Sequence, residues 1–467
     1  MSVPLLFMAA PVAAAALCAM LYRWSWLQSA LACLTVLLLA LLALQIPLDE
    51  LAVVGGSDVR LSATFNIFGR AFVFAMEDRP VLIFYFMAAL PFFMCGLDGR
   101  LTGSFVPAAL LLLPLLAATI FVQPLLFAAL FLELSAALAV LLLADGAHRA
   151  TRGALRLLVT VTLGVPFILL AGWQLELAGS GPESTQFLTQ AGWALCSGFA
   201  ILLAAVPFHG WMPAVGQEAP AVAAAFLWAL FPAAVLLFLL DALAQFDWLR
   251  STALLFAMLR VAGTGLIVVC GALAFAQRNW GRLAGYAALV EWGAILLAVG
   301  MRTPAALTAA AALLVMRVPA LAVWAAGAGA LGGGGAADVD SLRGRAHAQP
   351  FATLAALAGG LSLAGLPLTA GFAVRWTVLR MLAVQEFWLA AALVFAGLGV
   401  LVAHVRLLRA LFEPAPHPLP ETEPESAVLA GLAVLGAGAV LALGINPQWL
   451  VPAATRLVEA RAGKLGG

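Results

Sequence analysis

Long apolar stretches alternate with short polar segments along nearly the whole chain. A run of about twenty such residues crosses the hydrocarbon core of a bilayer as one helix, since each residue adds ~1.5 Å to a core about 30 Å thick. The pattern therefore predicts an all-α polytopic membrane protein with about fourteen transmembrane helices. The predicted spans lie near residues 3–22, 25–46, 80–97, 104–122, 124–144, 154–176, 187–207, 221–243, 252–275, 283–300, 305–331, 352–382, 386–411 and 427–446.

Two of these stretches are interrupted, one in each half of the chain. Pro207 lies within the apolar sequence GFAILLAAVPFHGWMPAVGQEAP, where it removes a backbone donor and breaks or kinks the helix. A second break is predicted at GLPLTAG, residues 365–371, which Arg375 follows. Irregular backbone at membrane depth is tolerated only where it is buried in protein or lines a wet cavity. Two interrupted helices therefore indicate an ion path built from internal repeats.

The connections between spans carry the topology signal. Residues 47–79 are more polar and predict an external loop, with a hairpin as one form that it can take. Residues 332–340, rich in glycine and aspartate, predict a flexible loop. Arginines concentrate in alternate short loops, so the positive-inside rule predicts that both termini face outside.

Composition narrows the function classes. The chain is 65% hydrophobic and 10% charged with a mean hydropathy of +1.09, which excludes a soluble protein. A net charge of +1 gives no electrostatic basis for binding nucleic acid. The five cysteines are dispersed, so we expect no disulfide, iron–sulfur cluster or zinc site. All 23 basic side chains except Lys464 are arginine, which effectively cannot release a proton.

Charged residues inside predicted spans are candidates for function because an ionisable side chain at the bilayer centre costs roughly 2.5–3.5 kcal/mol. Glu133 lies mid-span among Leu and Phe, an environment that suits a proton-exchanging carboxyl. Arg156 lies near the start of the next span, within plausible reach of Glu133. The alternatives are a carboxyl that only locks helices together and an arginine that extends to the membrane surface.

A second group of charges lies in the other half of the chain. Glu291 and Arg317 occupy adjacent spans, which favours an ion pair, either mobile in function or static. Arg375 follows the second break, His209 follows the first, and His404 lies inside the thirteenth span. A lone histidine in an apolar helix is more often structural. If these groups lie at one membrane level, they form a lateral row in which each charge biases its neighbour, and the Glu and His residues exchange protons.

Five segments together resemble the antiporter-like, proton-pumping membrane subunits of respiratory complex I, which are related to Mrp cation/proton antiporters and membrane-bound hydrogenases. The segments are LELSAALAVLLL, ALRLL, AAVPFHGWMPAVGQEAP, RLAGYAALVEWG and SLAGLPLTAGFAVRW. The LEL segment and the total length are most similar to subunit N, with subunit M second.

The resemblance implies fourteen helices with two inverted five-helix repeats, each containing a broken helix. It divides the chain into three N-terminal helices with an external loop (1–103), a first repeat (104–244), a second repeat (245–412), and a last helix with a short tail (413–467). It also implies a mid-membrane proton path, in which Glu133 takes the place of the family's glutamate and Arg156 and Arg375 take the places of two of its lysines. From the charges inside the predicted spans and the histidine at the first break, we add His209, Glu291 and Arg317 to the predicted path.

The sequence departs from the family pattern in the first repeat. The family's lysine in the first broken helix falls on Leu202, and the lysine of the next helix falls near Phe231–Pro232. Glu291 stands where the family often has histidine. The alternatives to a proton-translocating subunit are therefore a non-pumping structural subunit of the same complex and an Mrp-like antiporter subunit.

The resemblance also implies a setting for the chain. It would lie in a bacterial plasma membrane among other membrane-arm subunits of a proton-translocating NADH:quinone oxidoreductase. The chain itself would carry no redox centre. NADH, FMN, iron–sulfur clusters and quinone would bind to partner subunits.

Overall fold

Helices dominate the computed structural model, which describes residues 2–46, 51–54, 57–60, 62–67, 69–99, 104–144, 151–179, 184–332, 337–414 and 424–462. The side chains of residues 51–61 and 460–462 lie outside this description, as does part of the predicted loop at 332–340. Three helices precede the two repeats, and two follow them. These five are α1 (Val3–Met20), α2 (Ser25–Gln45), α3 (Arg79–Met94), α18 (Ala427–Ile445) and α19 (Val451–Ala462).

The middle of the chain shows one order of helices twice: three helices, one interrupted helix, and one further helix. Five crossings separate the first helices of the two sets, so the second set runs in the opposite direction through the membrane. The first set is α4 (Phe105–Phe121), α5 (Ala128–Leu142), α6 (Arg152–Ala178), α7 (Ser184–Leu202) with α8 (Trp211–Glu218), and α9 (Ala221–Gln245). After the short α10 (Asp247–Ser251), the second set is α11 (Ala253–Ala276), α12 (Trp280–Gly300), α13 (Pro304–Gly332), α15 (Pro350–Ala364) with α16 (Ala370–Gln385), and α17 (Phe387–Phe412), the short α14 (Arg345–Ala348) preceding α15.

The predicted spans coincide with these helices to within a few residues. Ten helices of the described chain have the length and hydropathy of a complete crossing. The remaining four predicted positions are α3, α4 and the interrupted pairs α7–α8 and α15–α16. The prediction of about fourteen crossings and of one break in each half is thereby confirmed.

The polar segment 47–79 contains strands, as its predicted hairpin form requires. Strands β1 (Leu51–Val54) and β2 (Ser57–Arg60) pair antiparallel. Strands β3 (Thr64–Ile67) and β4 (Arg70–Val73) form a second hairpin, and β5 (Val122–Gln123), between α4 and α5, extends that sheet. The sheet thus ties residues 64–73 to the connection between α4 and α5 of the first repeat.

Three helices form the centre of the molecule. The apolar windows of α9, α12 and α13 are 100%, 94% and 83% buried, whereas that of α18 is 22% buried. Helix α9 is apolar around its whole circumference, as expected of a helix surrounded by others. Glu291 of α12 and Arg317 of α13 therefore lie deep inside protein.

Candidate functional site

The second break forms a compact binding site for one arginine. Helix α15 ends at Ala364, and Gly365 adopts a left-handed conformation with φ +78°. The Arg375 guanidinium donates to the carbonyls of Ala364 (Nη1–O 2.8 Å) and Leu363 (Nη2–O 2.9 Å). These carbonyls have no intrahelical partner at a helix C-terminus, where the helix dipole also favours a cation. Arg375 is 3% exposed, so this charge is held inside the protein by the break itself.

Glu291 of α12 faces a second buried arginine, Arg317 of α13. Its Oε2 is 3.7 Å from Nε of Arg317, and both side chains are essentially inaccessible. The structure thus brings together two of the predicted residues, Glu291 and Arg317, while Arg375 is buried on α16, which packs against α13.

The Glu291–Arg317 contact is loose. A separation of 3.7 Å exceeds hydrogen-bond length, and neither carboxylate oxygen of Glu291 receives a hydrogen bond from protein. Arg317 donates a long bond, 3.5 Å, to the Ala288 carbonyl, while its Nε and Nη1 lack protein partners. Buried polar atoms of this kind are normally satisfied by ordered water.

His404 lies on α17 and is fully buried. Its Nδ1 is 2.9 Å from the Val400 carbonyl, which assigns the proton to Nδ1 and leaves Nε2 as an acceptor. Nε2 has no protein donor and lies against Gly360 of α15, where an added Cβ would come within 2.5 Å. The second repeat therefore buries four ionisable side chains.

The first repeat places its candidates differently. Glu133 is only half-buried, and Arg156 is exposed. No ion pair joins them in the part of the chain that the structure describes. His209 is half-buried in the 3₁₀ turn Phe208–Gly210, and its Nδ1 has no hydrogen-bond partner. Among the described residues, Glu133 on α5, Arg156 on α6 and His209 at the first break form no hydrogen bond or ion pair with one another.

The interior of the first repeat is apolar where the family pattern has lysines. Leu202 is 3% exposed and its side chain packs against Gly164 of α6. Phe231 and Pro232 are buried in α9, and Phe231 packs edge-on against Trp211. The break itself is present, with Ala204 at φ +56° and a cis Val206–Pro207 bond.

Trp292 is a contributing residue that sequence reasoning missed. Its indole Nε1 donates to the Leu203 carbonyl at the first break over 2.9 Å, and both groups are buried. Its ring also lies 5.5 Å from the Arg317 guanidinium carbon, a cation–π distance. Its position directly after Glu291 was the available signal. Trp292 connects the charge cluster of one repeat with the break of the other.

Comparison with known proteins gives concordant matches. The family "NADH:quinone oxidoreductase/Mrp antiporter, TM" matches residues 123–399. The chain is 32% identical over 297 residues to NADH-quinone oxidoreductase subunit N of Cereibacter sphaeroides, covering 62% of this chain and 64% of that protein. It is 30% identical over 295 residues to subunit N of Chromohalobacter salexigens, covering 59% and 60%. The matched segments thus span about three fifths of these relatives.

Solved structures show the same fold over nearly the whole chain. A chain of respiratory complex I from Thermus thermophilus with bound NADH aligns with a TM-score of 0.74 at 22% identity, covering 99% of this chain and 100% of that one. A chain of the Mrp complex from a Dietzia species aligns with a TM-score of 0.77 at 16% identity, covering 99% of both.

Proposed function

Because this chain belongs to the NADH:quinone oxidoreductase/Mrp antiporter transmembrane family, we propose that it is a proton-translocating membrane subunit of a complex I-like NADH:quinone oxidoreductase. The enzyme would be the multi-subunit translocase, and this chain would carry protons and no electrons. Its relatives named subunit N support that assignment.

One observation carries the proposal: the fully buried carboxylate of Glu291 faces the fully buried Arg317, and a third buried charge, Arg375, lies beside an interrupted helix. Glu291 is the titratable member of this group, since an arginine side chain effectively does not release its proton. The unpaired oxygens of Glu291 and the free Nε2 of His404 are acceptors that water can connect. Proton binding at Glu291 would remove the charge that the arginines share, so the local field would change at each turnover.

Arginine 375 has a positioning role in this scheme. Its two hydrogen bonds to carbonyls of α15 hold the guanidinium in place. Arg375 would therefore keep its position when the charge of Glu291 changes. Arg317 has weaker protein bonds and is the more mobile cation. The residues Glu133, Arg156 and His209 would complete the path on the side of the first repeat, connected by water because they form no direct cluster.

A non-pumping structural subunit is the second candidate, and the apolar interior around Leu202 favours it. There, no titratable side chain takes the place of the family's lysine. The two candidates differ in what Glu291 does: a proton carrier in one, a static ion-pair member in the other.

The test is the ratio of protons translocated to electrons transferred by the intact complex in vesicles. We expect Glu291→Gln to lower that ratio while quinone reduction by the partner subunits persists in uncoupled membranes. Glu459→Gln, a substitution of an exposed carboxylate on α19, is the matched control. An unchanged ratio in Glu291→Gln, with the complex fully assembled, would support the structural candidate.

Partners, cofactors and location follow from the same assignment. We propose that the chain assembles with other membrane-arm subunits in a bacterial plasma membrane, with both termini outside. The electron carriers NADH, FMN, iron–sulfur clusters and quinone would belong to those partners. Co-purification of this chain with quinone-reductase subunits after mild extraction is the expected outcome. Recovery with small antiporter subunits alone would favour an Mrp-like assembly.

A further inference from the structure

A cavity of about 580 Å³ opens on the surface of the first repeat, and none of the residues of the charge cluster lines it. It lies where the end of α6, the end of α9, the segment between α4 and α5, and strand β4 meet. Its wall is apolar over most of its area, with leucines, Gly172 and Phe127, but two opposite charges line it. These are Arg70 of β4 and Glu176 of α6.

The two charges do not neutralise each other. No ion pair joins Arg70 to Glu176 within the described residues; the Arg70 guanidinium instead lies 3.8 Å from the centroid of the Phe127 ring. Both side chains are exposed. The cavity therefore offers a separate cation and a separate carboxylate, which suits a ligand carrying both an anionic and a cationic group.

An apolar track leads from the cavity along α6. Val159, Leu163, Phe167, Leu170 and Trp173 are exposed and recur every three or four residues, so they form one face of the helix. The distance along the helix axis from Val159 to Trp173, fourteen steps of ~1.5 Å, is about 21 Å. This length exceeds the ~15 Å thickness of the hydrocarbon of one leaflet. Trp173 lies at the cavity, in the position that tryptophan favours at a membrane interface.

We propose that this cavity binds one zwitterionic aminophospholipid, with its phosphate on Arg70, its ammonium group on Glu176 and an acyl chain along the exposed face of α6. Arginine suits phosphate because its planar fork donates in pairs. A free zwitterion in water would not use the apolar track, which is why the lipid is the favoured occupant.

The test is native mass spectrometry of the intact complex, delipidated and then exposed to an equimolar mixture of phosphatidylethanolamine, phosphatidylcholine and phosphatidylglycerol. We expect retention of phosphatidylethanolamine over the other two by roughly threefold to fivefold, as for one exposed ion pair. The choline headgroup cannot donate a hydrogen bond to Glu176, and the glycerol headgroup has no cation.

Two substitutions separate the two contacts. Arg70→Gln should lower retention of all three lipids, whereas Glu176→Gln should abolish only the preference for phosphatidylethanolamine. Arg456→Gln and Glu459→Gln, which change an exposed arginine and glutamate on α19, should leave retention as in the unmodified protein. Equal lipid retention in all four variants would overturn the proposal. The proposal would also be overturned if Arg70→Cys formed a cross-link to a partner subunit and no lipid were retained, because the cavity would then be a subunit interface.

Discussion

At the scale of single residues, backbone carbonyl groups of the second repeat accept hydrogen bonds from its buried arginines. Arg375 is bonded to two carbonyls that the break releases, and Glu291 is 3.7 Å from Arg317. Sequence indicated the Glu291–Arg317 contact because adjacent spans place the two residues at similar depth. It could not indicate the carbonyl partners of Arg375, since these depend on how α15 ends and on how α16 folds back against it.

The buried pair yields a prediction about coupling. Arg317→Met should lower the free energy of unfolding in detergent by about 3–5 kcal/mol, because it leaves Glu291 with less compensation inside the protein. Adding Glu291→Gln to that variant should restore part of the loss, and Arg456→Met on α19 should change stability little. Denaturant titration of the unmodified protein, of Arg317→Met, of Glu291→Gln and of the double variant measures the coupling. Strictly additive losses would show that the two side chains do not interact energetically.

At the scale of elements, the sequence predicts the positions of the apolar helices accurately. It predicts the contacts between side chains of neighbouring helices less completely. Helix positions follow from hydrophobic length, and the breaks follow from Pro207 and from the glycines around Pro367. The proposed approach of Glu133 to Arg156 depended on helix rotation, which spacing along the chain does not fix. The strands that tie 47–79 to Val122–Gln123 are non-local and were predicted only as a hairpin.

The second break makes a prediction at this scale. Gly365 and Gly69 both have positive φ angles, +78° and +71°. A Cβ added to Gly365 would lie 2.5 Å from Nη1 of Arg375, whereas a Cβ added to Gly69 would have no atom within 4 Å. Alanine at either position costs about 1 kcal/mol of backbone strain. Gly365→Ala should cost roughly 1–3 kcal/mol more because the guanidinium must move. Thermal unfolding in detergent compares the two; equal losses would mean that the space beside Arg375 is not limiting.

At the scale of the whole molecule, the two repeats share an arrangement of helices and differ in their interiors. The second repeat buries Glu291, Arg317, Arg375 and His404, whereas the first has Leu202 and Phe231 at its centre. The sequence showed this asymmetry because the family's lysine positions could be read residue by residue.

The C-terminal helix makes a prediction at this scale. Helix α19 packs against α13, α9 and α3 and buries Ala454, Leu457 and Val458. Ending the chain after Leu450 should lower the free energy of unfolding by about 3–6 kcal/mol, as burial of two large aliphatic side chains contributes about 1.5–3 kcal/mol each. Ending it after Ala462 is the control. If both truncated chains unfold at the temperature of the full chain, α19 does not stabilise the bundle.

The bond between Trp292 and the Leu203 carbonyl restricts how the charge cluster can move. Glu291 and Trp292 are consecutive, so one helix orients both the carboxylate and the indole. Turning α12 by a single residue position, about 100°, would leave a buried N–H and a buried C=O unpaired at roughly 1–3 kcal/mol each. This bond therefore opposes rotation of α12 about its own axis. Any change of partner by Glu291 would then come from its side-chain torsions, while the helix backbone stays in place.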